Sequence, residues 1–154
     1  LQDAHRVAQS ASAPHAFWCQ HHMGNWRSSD DLASWQELHA QPSSFGFAVA
    51  VHPRDADTAW FVPAHSDQKR TQVTGDVVVT RTRDGGKTFD VLRNGLPQRH
   101  AYDLVLRHAL AVADDGNQLA FGSTTGNLWV TADQGDSWHA VASHLPPIYA
   151  VRYA

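Results

Sequence analysis

The sequence predicts an all-β fold, a β-propeller of four-stranded antiparallel blades with about three blades and one further strand present. Three observations predict it: an eight-residue pattern that occurs three times, short apolar strands around each copy, and a composition suited to strands. The 154 residues include six Trp and six Phe, but only two Lys and one Glu. Good helix formers are therefore scarce, while aromatic and β-branched residues, which favour strands, are common.

The repeated pattern, [ST]-x-D-x-[GL]-x-[ST]-[WF], begins at Ser28, Thr82 and Thr131, which are 54 and 49 residues apart. The Asp side chain can accept hydrogen bonds from N–H groups further along and hold a tight hairpin turn, and the final aromatic residue returns to the sheet. We expect a structural role for Asp30, Trp35, Asp84, Gly86, Phe89, Asp133, Gly135 and Trp138. Leu32 stands where the other copies have glycine, which predicts a strained or differently shaped turn.

Four strands per unit are predicted in order along the chain. The first unit has strands around 7–9, 16–19, 26 and 36–38; the second around 48–52, 58–62, 77–79 and 90–92; the third around 110–112, 119–121, 128–130 and 139–141. Units of about 40 to 50 residues match the period of propeller blades. We interpret residues 1–154 as one propeller segment, with blades near 5–38, 46–92 and 102–141 and an extra strand over 147–153.

The number of blades predicts two open sides. Propellers usually close with about four to eight blades, and open sheet edges favour pairing with other chains. We therefore expect ring completion by missing blades, favouring an N-terminal part, or by self-association.

The bulk properties exclude several classes. A net charge of −3 and a pI near 6.4 argue against binding to nucleic acid through phosphate neutralisation, and no apolar run of about 20 residues suggests a membrane span. The N-terminus shows no signal peptide. One cysteine, Cys19, excludes an internal disulfide and leaves the compartment open, with the cytoplasm favoured.

The repeats resemble the BNR (Asp-box) repeat of sialidases, sortilin-type receptors, xyloglucan-active glycosidases and photosystem assembly factors. The whole chain resembles the C-terminal part of bacterial proteins labelled glycosyl hydrolase or YVTN/BNR-like repeat-containing protein. Segments 17–22, 51–55, 58–60, 81–89, 95–97, 101–104, 121–126 and 145–152 carry the similarity. The resemblance implies a propeller fold, and its label implies a glycoside hydrolase.

Candidate chemistry is expected on the loops opposite the Asp-containing turns. In a four-stranded blade the second-to-third-strand loops and the connections between blades share one face, where propellers usually bind ligands. The side chains that we expect to converge at this channel mouth are His21, His22, His65, Asp67, Arg70, Arg99, His100 and Tyr102. Asp30, Asp84 and Asp133 lie on the other face and are not expected to be catalytic.

Three interpretations of these loop residues remain open. His21 or His22 with His65 and His100 could bind zinc, but no short ligand spacing supports this, and we expect no metal and no cofactor. Histidines with Arg70 or Arg99 could form an acid–base or anion site. The residues could also simply be solvated.

No catalytic constellation is evident in the sequence. The only glutamate, Glu37, is predicted in an outer strand, and no two of Asp67, Asp76 and Asp103 can be paired as the acids of a glycosidase. We therefore expect a binding or scaffolding propeller for a carbohydrate, a small polar ligand or a partner loop. A glycoside hydrolase, sialidase-like or another exo-glycosidase, with acids partly outside the segment is the alternative. An assembly factor with an arginine patch is less favoured, because the arginines are scattered.

Overall fold

The computed structural model describes residues 3–154, which form twelve strands in three separate antiparallel sheets. The first sheet contains β1 (Ala4–Gln9), β2 (Phe17–His21), β3 (Gly24–Ser28) and β4 (Gln36–Leu38). The second contains β5 (Gly46–Val51), β6 (Ala59–Pro63), β7 (Val79–Thr82) and β8 (Asp90–Leu92). The third contains β9 (Leu110–Val112), β10 (Leu119–Gly122), β11 (Leu128–Thr131) and β12 (His139–Ala142). Over this range no helix has the length and apolar character needed to cross a membrane.

Each sheet is a simple meander in which every strand pairs with the next one along the chain. The predicted all-β fold with four-stranded blades is confirmed. The strand predicted at 77–79 begins two residues later, at Val79. The reason is that the Val77 N–H bonds to the Pro97 carbonyl in the connection to the third blade, at 2.8 Å, so it lies outside the β6–β7 ladder.

The hydrophobic core lies between the blades, because each sheet buries its faces against its neighbours. The innermost strands β1, β5 and β9 lie side by side. One apolar cluster joins the first two blades through Trp18, Leu38, Val49, Val51, Ala59 and Phe61. A larger cluster joins the second and third and includes Trp60, Val79, Leu110, Phe121, Trp129 and Trp138. The three blades do not close into a ring among the described residues.

The further strand predicted over 147–153 is present only as one parallel bridge, between His108 and Ala150. The Val151 N–H also bonds to the His108 carbonyl at 2.9 Å. The segment thus lies parallel to the chain at the start of the third blade, where the innermost strand of a following blade would lie. The Ile148 N–H of this segment bonds to the Ser123 carbonyl, in a hairpin loop of the third blade, at 3.0 Å, so the ladder does not extend beyond the bridge.

The three Asp-containing turns share one hydrogen-bonding arrangement. In the second, the Asp84 carboxylate accepts the Thr88 N–H at 2.9 Å and the Thr88 hydroxyl at 2.6 Å. Asp30 accepts the same two groups from Ser34, and Asp133 accepts them from Ser137. The carboxylates are therefore engaged in holding the turns.

The Leu32 turn keeps the shape of the other two and is strained. Its φ is +71°, against +92° for Gly86 and +98° for Gly135 at the equivalent positions. A Cβ at Gly86 would lie 2.6 Å from a methyl of Leu38 in the preceding blade. A Cβ at Gly135 would lie 2.7 Å from a methyl of Leu92. Leu32 has no preceding blade among the described residues and is 47% exposed.

Candidate functional site

The two ends of the blades carry different chemistry. At one end, the turn between the first two strands of a blade bonds to the Asp-containing turn. The Gly85 N–H donates to the Asp57 carbonyl at 3.0 Å, and the Gln134 N–H donates to the Asn117 carbonyl at 2.9 Å. At the other end lie the remaining hairpin loops, 22–23, 64–78 and 123–127, and the connections between blades. We call this end the loop face.

A cluster of one carboxylate and three imidazoles lies on the loop face between the first two blades. This histidine cluster consists of Asp3, His5, His21 and His22. His22 Nδ1 lies 3.4 Å from one carboxylate oxygen of Asp3, and His5 Nε2 lies 4.0 Å from the other. The β1–β2 pairing creates it, since Ala4 lies opposite His21. The start of β1 and the turn after β2 therefore meet.

His5 is held rigidly within this cluster. Its side chain is 4% exposed and stacks on Phe47 at a centroid distance of 4.6 Å. Phe45 and His22 approach it edge-on, at 5.8 Å and 5.6 Å. Its Nδ1 donates a 2.6 Å hydrogen bond to the Gly46 carbonyl, which can only accept. In the neutral ring the Nε2 lone pair is therefore free and directed toward Asp3.

His21 has a different environment from its neighbours. It is buried, and its Nδ1 accepts the Met23 N–H at 3.0 Å. Burial lowers the pKa of its imidazole, although the Asp3 carboxylate opposes this effect. His21 Nδ1 therefore acts as an acceptor that stabilises the hairpin turn.

The long loop of the second blade adds an ion pair beside the cluster. Arg70 Nη2 lies 2.5 Å from the Asp67 carboxylate. The hydrogen bond from Arg70 lowers the pKa of Asp67. The Arg70 guanidinium lies 5.5 Å from the Phe47 ring centroid, and that of Arg107 lies 5.7 Å away. Phe47 thus links the histidines to two cations.

Four of the eight predicted loop residues belong to this assembly, namely His21, His22, Asp67 and Arg70. The other four, His65, Arg99, His100 and Tyr102, are exposed on the same loops. Their side chains make no hydrogen bond, ion pair or ring contact with residues 3–154. Tyr102 is the one large hydrophobic residue among these four, and its side chain is 64% exposed. A ligand-binding role for these four stays a prediction.

Sequence reasoning did not identify Asp3, His5, Phe47 and Arg107 as members of the site. The spacing of Asp3 and His5 carried a usable signal, because residues two apart on a strand lie on the same face. In the sequence, Phe47 lies in an apolar run and has the pattern of an ordinary core residue of a strand. Its aromatic contacts to His5 and the two arginines depend on packing between blades.

A second polar group on the loop face is closed by its own hydrogen bonds. The buried Asp103 carboxylate accepts from the Ser123 hydroxyl at 2.8 Å, the Asn127 amide at 2.7 Å, and the Thr125 hydroxyl. The Gln72 amide donates to the Asp103 carbonyl at 2.5 Å. This group ties the second-blade loop to the third blade and is structural.

An open cavity of about 470 Å³ lies along the innermost strands. Its polar lining includes Arg6, His108, Asp114, Arg152 and Tyr153. The Arg6 guanidinium donates to the carbonyls of Arg107 and Leu110, at 2.5 Å and 3.1 Å. Burial and the nearby charge of Arg152 lower the pKa of Arg6. These contacts fix the first blade against the third.

Comparison with known proteins identifies the fold. No family model matches the chain, and no curated protein matches it. An ancestral GH74 enzyme superimposes with a TM-score of 0.69 at 14% identity, covering 92% of this chain and 18% of that one. The GH74 xyloglucanase of Xanthomonas campestris gives 0.66 at 22% identity, covering 88% and 20%. YCF48 bound to D1 peptide gives 0.58 at 13% identity, covering 92% and 44%.

These similarities establish the fold and leave the activity open. All three identities are below 25%, and the chain spans between 18% and 44% of the length of these structures. Enzymes and a protein bound to a peptide share the architecture, in keeping with the rule that function resides in sites rather than folds. The chain is thus part of a β-propeller, similar to glycoside hydrolases of the GH74 group and to YCF48.

Proposed function

We propose that the chain belongs to a binding or scaffolding propeller of the BNR-repeat group. Its ligand site is the loop face between the first two blades, where the histidine cluster, the Asp67–Arg70 pair and Phe47 meet. The ligand is a carbohydrate, another small polar molecule or a loop of a partner protein.

One observation carries this proposal: three carboxylates of the loop face, those of Asp67, Asp76 and Asp103, are already engaged with partners. Asp67 is paired with Arg70, and Asp76 accepts from Thr74 and pairs with Arg93. Asp103 accepts three side-chain hydrogen bonds. A glycosidase needs two carboxyl groups that face each other across the substrate, roughly 5 to 10 Å apart. Carboxylates held in this way serve binding and positioning.

The protonation behaviour of these acids supports the same function. A general acid for glycoside cleavage needs a raised pKa, so that it is protonated near neutral pH. The hydrogen bond from Arg70 lowers the pKa of Asp67. Burial alone would raise the pKa of Asp76, but the hydrogen bonds from Thr74 and Arg93 outweigh burial and lower it. Both groups are therefore ionised at neutral pH.

Binding can be tested by calorimetric titration of the full chain with xyloglucan oligosaccharides and with a panel of short acidic peptides. Replacing Arg70 with alanine is expected to lower the affinity for whichever probe binds about tenfold, or by about 1.4 kcal/mol. Lys69→Ala, a neighbouring exposed cation in the same loop, is the matched control and is expected to bind normally. If no probe binds, or if both variants bind equally, the site is not the one proposed.

A glycoside hydrolase is the second candidate, favoured by the similarity to two GH74 enzymes. Its catalytic acids would lie partly outside this segment. Release of reducing ends from soluble xyloglucan by the full chain, abolished by Asp67→Asn and retained by Asp114→Asn, would replace the binding proposal. Asp114 lies next to the inner cavity, away from the histidine cluster.

We also propose that further blades, from the same chain or from a second copy, complete the ring. The outer sides of the first and third blades expose Val7, Leu32 and Val141, at 48%, 47% and 57%. The solution mass, measured by light scattering, separates the possibilities. A dimer would support ring completion by self-association. A monomer would support ring completion by further blades of the same chain.

A further inference from the structure

We propose that Asp3, His5 and His22 bind a divalent first-row transition-metal ion of the zinc type at the junction of the first two blades. This inference rests on the proposed function, because the ion would lie inside the same ligand surface. No short ligand spacing in the sequence marks this site. The juxtaposition of the three side chains in the folded chain indicates it.

The donor atoms are already arranged for chelation. One ligand atom from each of the three residues lies within 4.8 Å of the others. A tetrahedral ion with bond lengths of about 2.0–2.2 Å needs donors about 3.3–3.6 Å apart. His22 Nδ1 lies 3.4 Å from one carboxylate oxygen of Asp3, and His5 Nε2 lies 4.0 Å from the other. The carboxylate of Asp3 is 61% exposed and can adjust by this small distance.

Of the three proposed metal-binding side chains, His5 is both the most buried and the best oriented. Metal-bound histidines usually donate their second ring nitrogen to a carbonyl or carboxylate, which fixes the tautomer and the ring. His5 does so already through its 2.6 Å bond to the Gly46 carbonyl. Its side chain is 4% exposed, and its Nε2 has no hydrogen bond to residues 3–154. A buried, oriented and unpartnered nitrogen lone pair thus faces Asp3 and His22.

The donor set selects the class of ion. Two imidazoles and one carboxylate suit zinc and its neighbours Co²⁺ and Ni²⁺, whereas Mg²⁺ and Ca²⁺ prefer oxygen ligands alone. Three protein ligands leave at least one coordination position for water or for a donor atom of a bound molecule. His22, whose side chain is 30% exposed, lies on the solvent side. A ligand can therefore reach the ion from the loop face.

The test is titration of the metal-free full chain with Co²⁺, followed by displacement with Zn²⁺. One Co²⁺ per chain with visible absorption bands is expected. The variants Asp3→Asn and His22→Ala should each lower the Co²⁺ affinity about tenfold or more, given that loss of a group that only hydrogen-bonds to a metal ligand already costs about 10–100-fold. Both positions are partly exposed, so folding should persist, as circular dichroism can verify. His5→Ala is less suitable because His5 packs on Phe47.

The controls are His65→Ala and His100→Ala, two exposed histidines on the same loops. With eleven histidines in the chain, weak surface binding would appear as affinity shared among many of them. Binding that the controls reduce as much as Asp3→Asn does, or the absence of stoichiometric binding, would overturn the inference. Ligand binding by a protein that takes up no stoichiometric metal would overturn the metal inference while leaving the proposed function intact. Stoichiometric metal binding with no ligand binding would overturn the proposed function while leaving the metal inference intact.

Discussion

Trp60 of the second blade donates a 2.9 Å hydrogen bond from its indole nitrogen to the carbonyl of Gln134 in the third. Trp18 of the first blade also bonds to the next blade, donating to the Ala56 carbonyl in the β5–β6 turn of the second at 3.0 Å. Each tryptophan is buried, and each lies opposite an arginine on the next strand. The blade junctions therefore combine apolar packing with specific polar contacts.

The Trp60 contact gives a first prediction. Trp60→Phe should lower the free energy of unfolding by about 1–3 kcal/mol, because a hydrogen bond across the junction is lost and the smaller ring leaves a cavity. Trp35→Phe changes a half-buried ring with no hydrogen bond across a junction and should cost less. Urea unfolding followed by circular dichroism measures both, and equal losses would contradict a specific junction contact.

Arg81 provides a second test of the same junction. Its side chain is 4% exposed and lies 3.0 Å from Asp90 and 2.8 Å from Asp136, in the next blade. Arg81→Leu should cost about 1.5–3 kcal/mol, the range for hydrogen bonds to charged groups. The acids themselves are exposed, so no buried charge is left behind. Arg83→Ala, on the surface nearby, should stay within about 0.5 kcal/mol in the same unfolding experiment.

The strained turn predicts a stabilising substitution. Leu32 has a φ of +71°, a conformation that costs a non-glycine residue about 1–3 kcal/mol. Leu32→Gly should therefore raise the free energy of unfolding by about 0.5–1 kcal/mol after the entropic cost of glycine. Gly86→Ala is the opposite case, since its Cβ would meet Leu38, and should destabilise. A neutral or harmful Leu32→Gly would mean that Leu32 is buried by a neighbouring blade.

Acid stability should depend on the Asp-containing turns. The hydrogen bonds from Thr88 lower the pKa of Asp84 to about 2. Because the folded pKa lies below the unfolded value, the carboxylate stabilises the fold above about pH 4, and this contribution is lost as the pH falls toward 2. Asp84→Asn should lower stability at neutral pH and flatten its decline in that window. Asp114→Asn, whose side chain has no hydrogen bond to residues 3–154, should leave the profile unchanged.

Cys19 should be unreactive in the folded protein. Burial raises the pKa of its thiol to about 11, and the side chain is fully buried, so little thiolate is present or accessible at pH 8. Alkylation by iodoacetamide, followed by mass spectrometry, should proceed only as urea unfolds the chain. Rapid alkylation without denaturant would show that the first blade opens locally.

The Asp-containing turns could be predicted because they are local. Asp84 and Thr88 are four residues apart, and the hydrogen bonds between their side chains and backbone need no other part of the chain. The strands Gln36–Leu38, Asp90–Leu92 and Leu110–Val112 were predicted with their observed bounds for a similar reason. The first two follow directly after Asp-containing turns, and the third is an apolar run bounded by turn residues, which indicates a strand.

The residues of the candidate site come from distant parts of the chain. His5 meets His22 across the β1–β2 pairing and bonds to Gly46, 41 residues away, across a blade junction. No periodicity marks such contacts, and the eleven histidines gave no means of telling the clustered ones from the exposed His65 and His100. The sequence by itself thus determined the repeat, the turns and the strands, which depend on near neighbours. Only the tertiary structure decided which side chains share the loop face, because the packing of one blade on the next sets those distances.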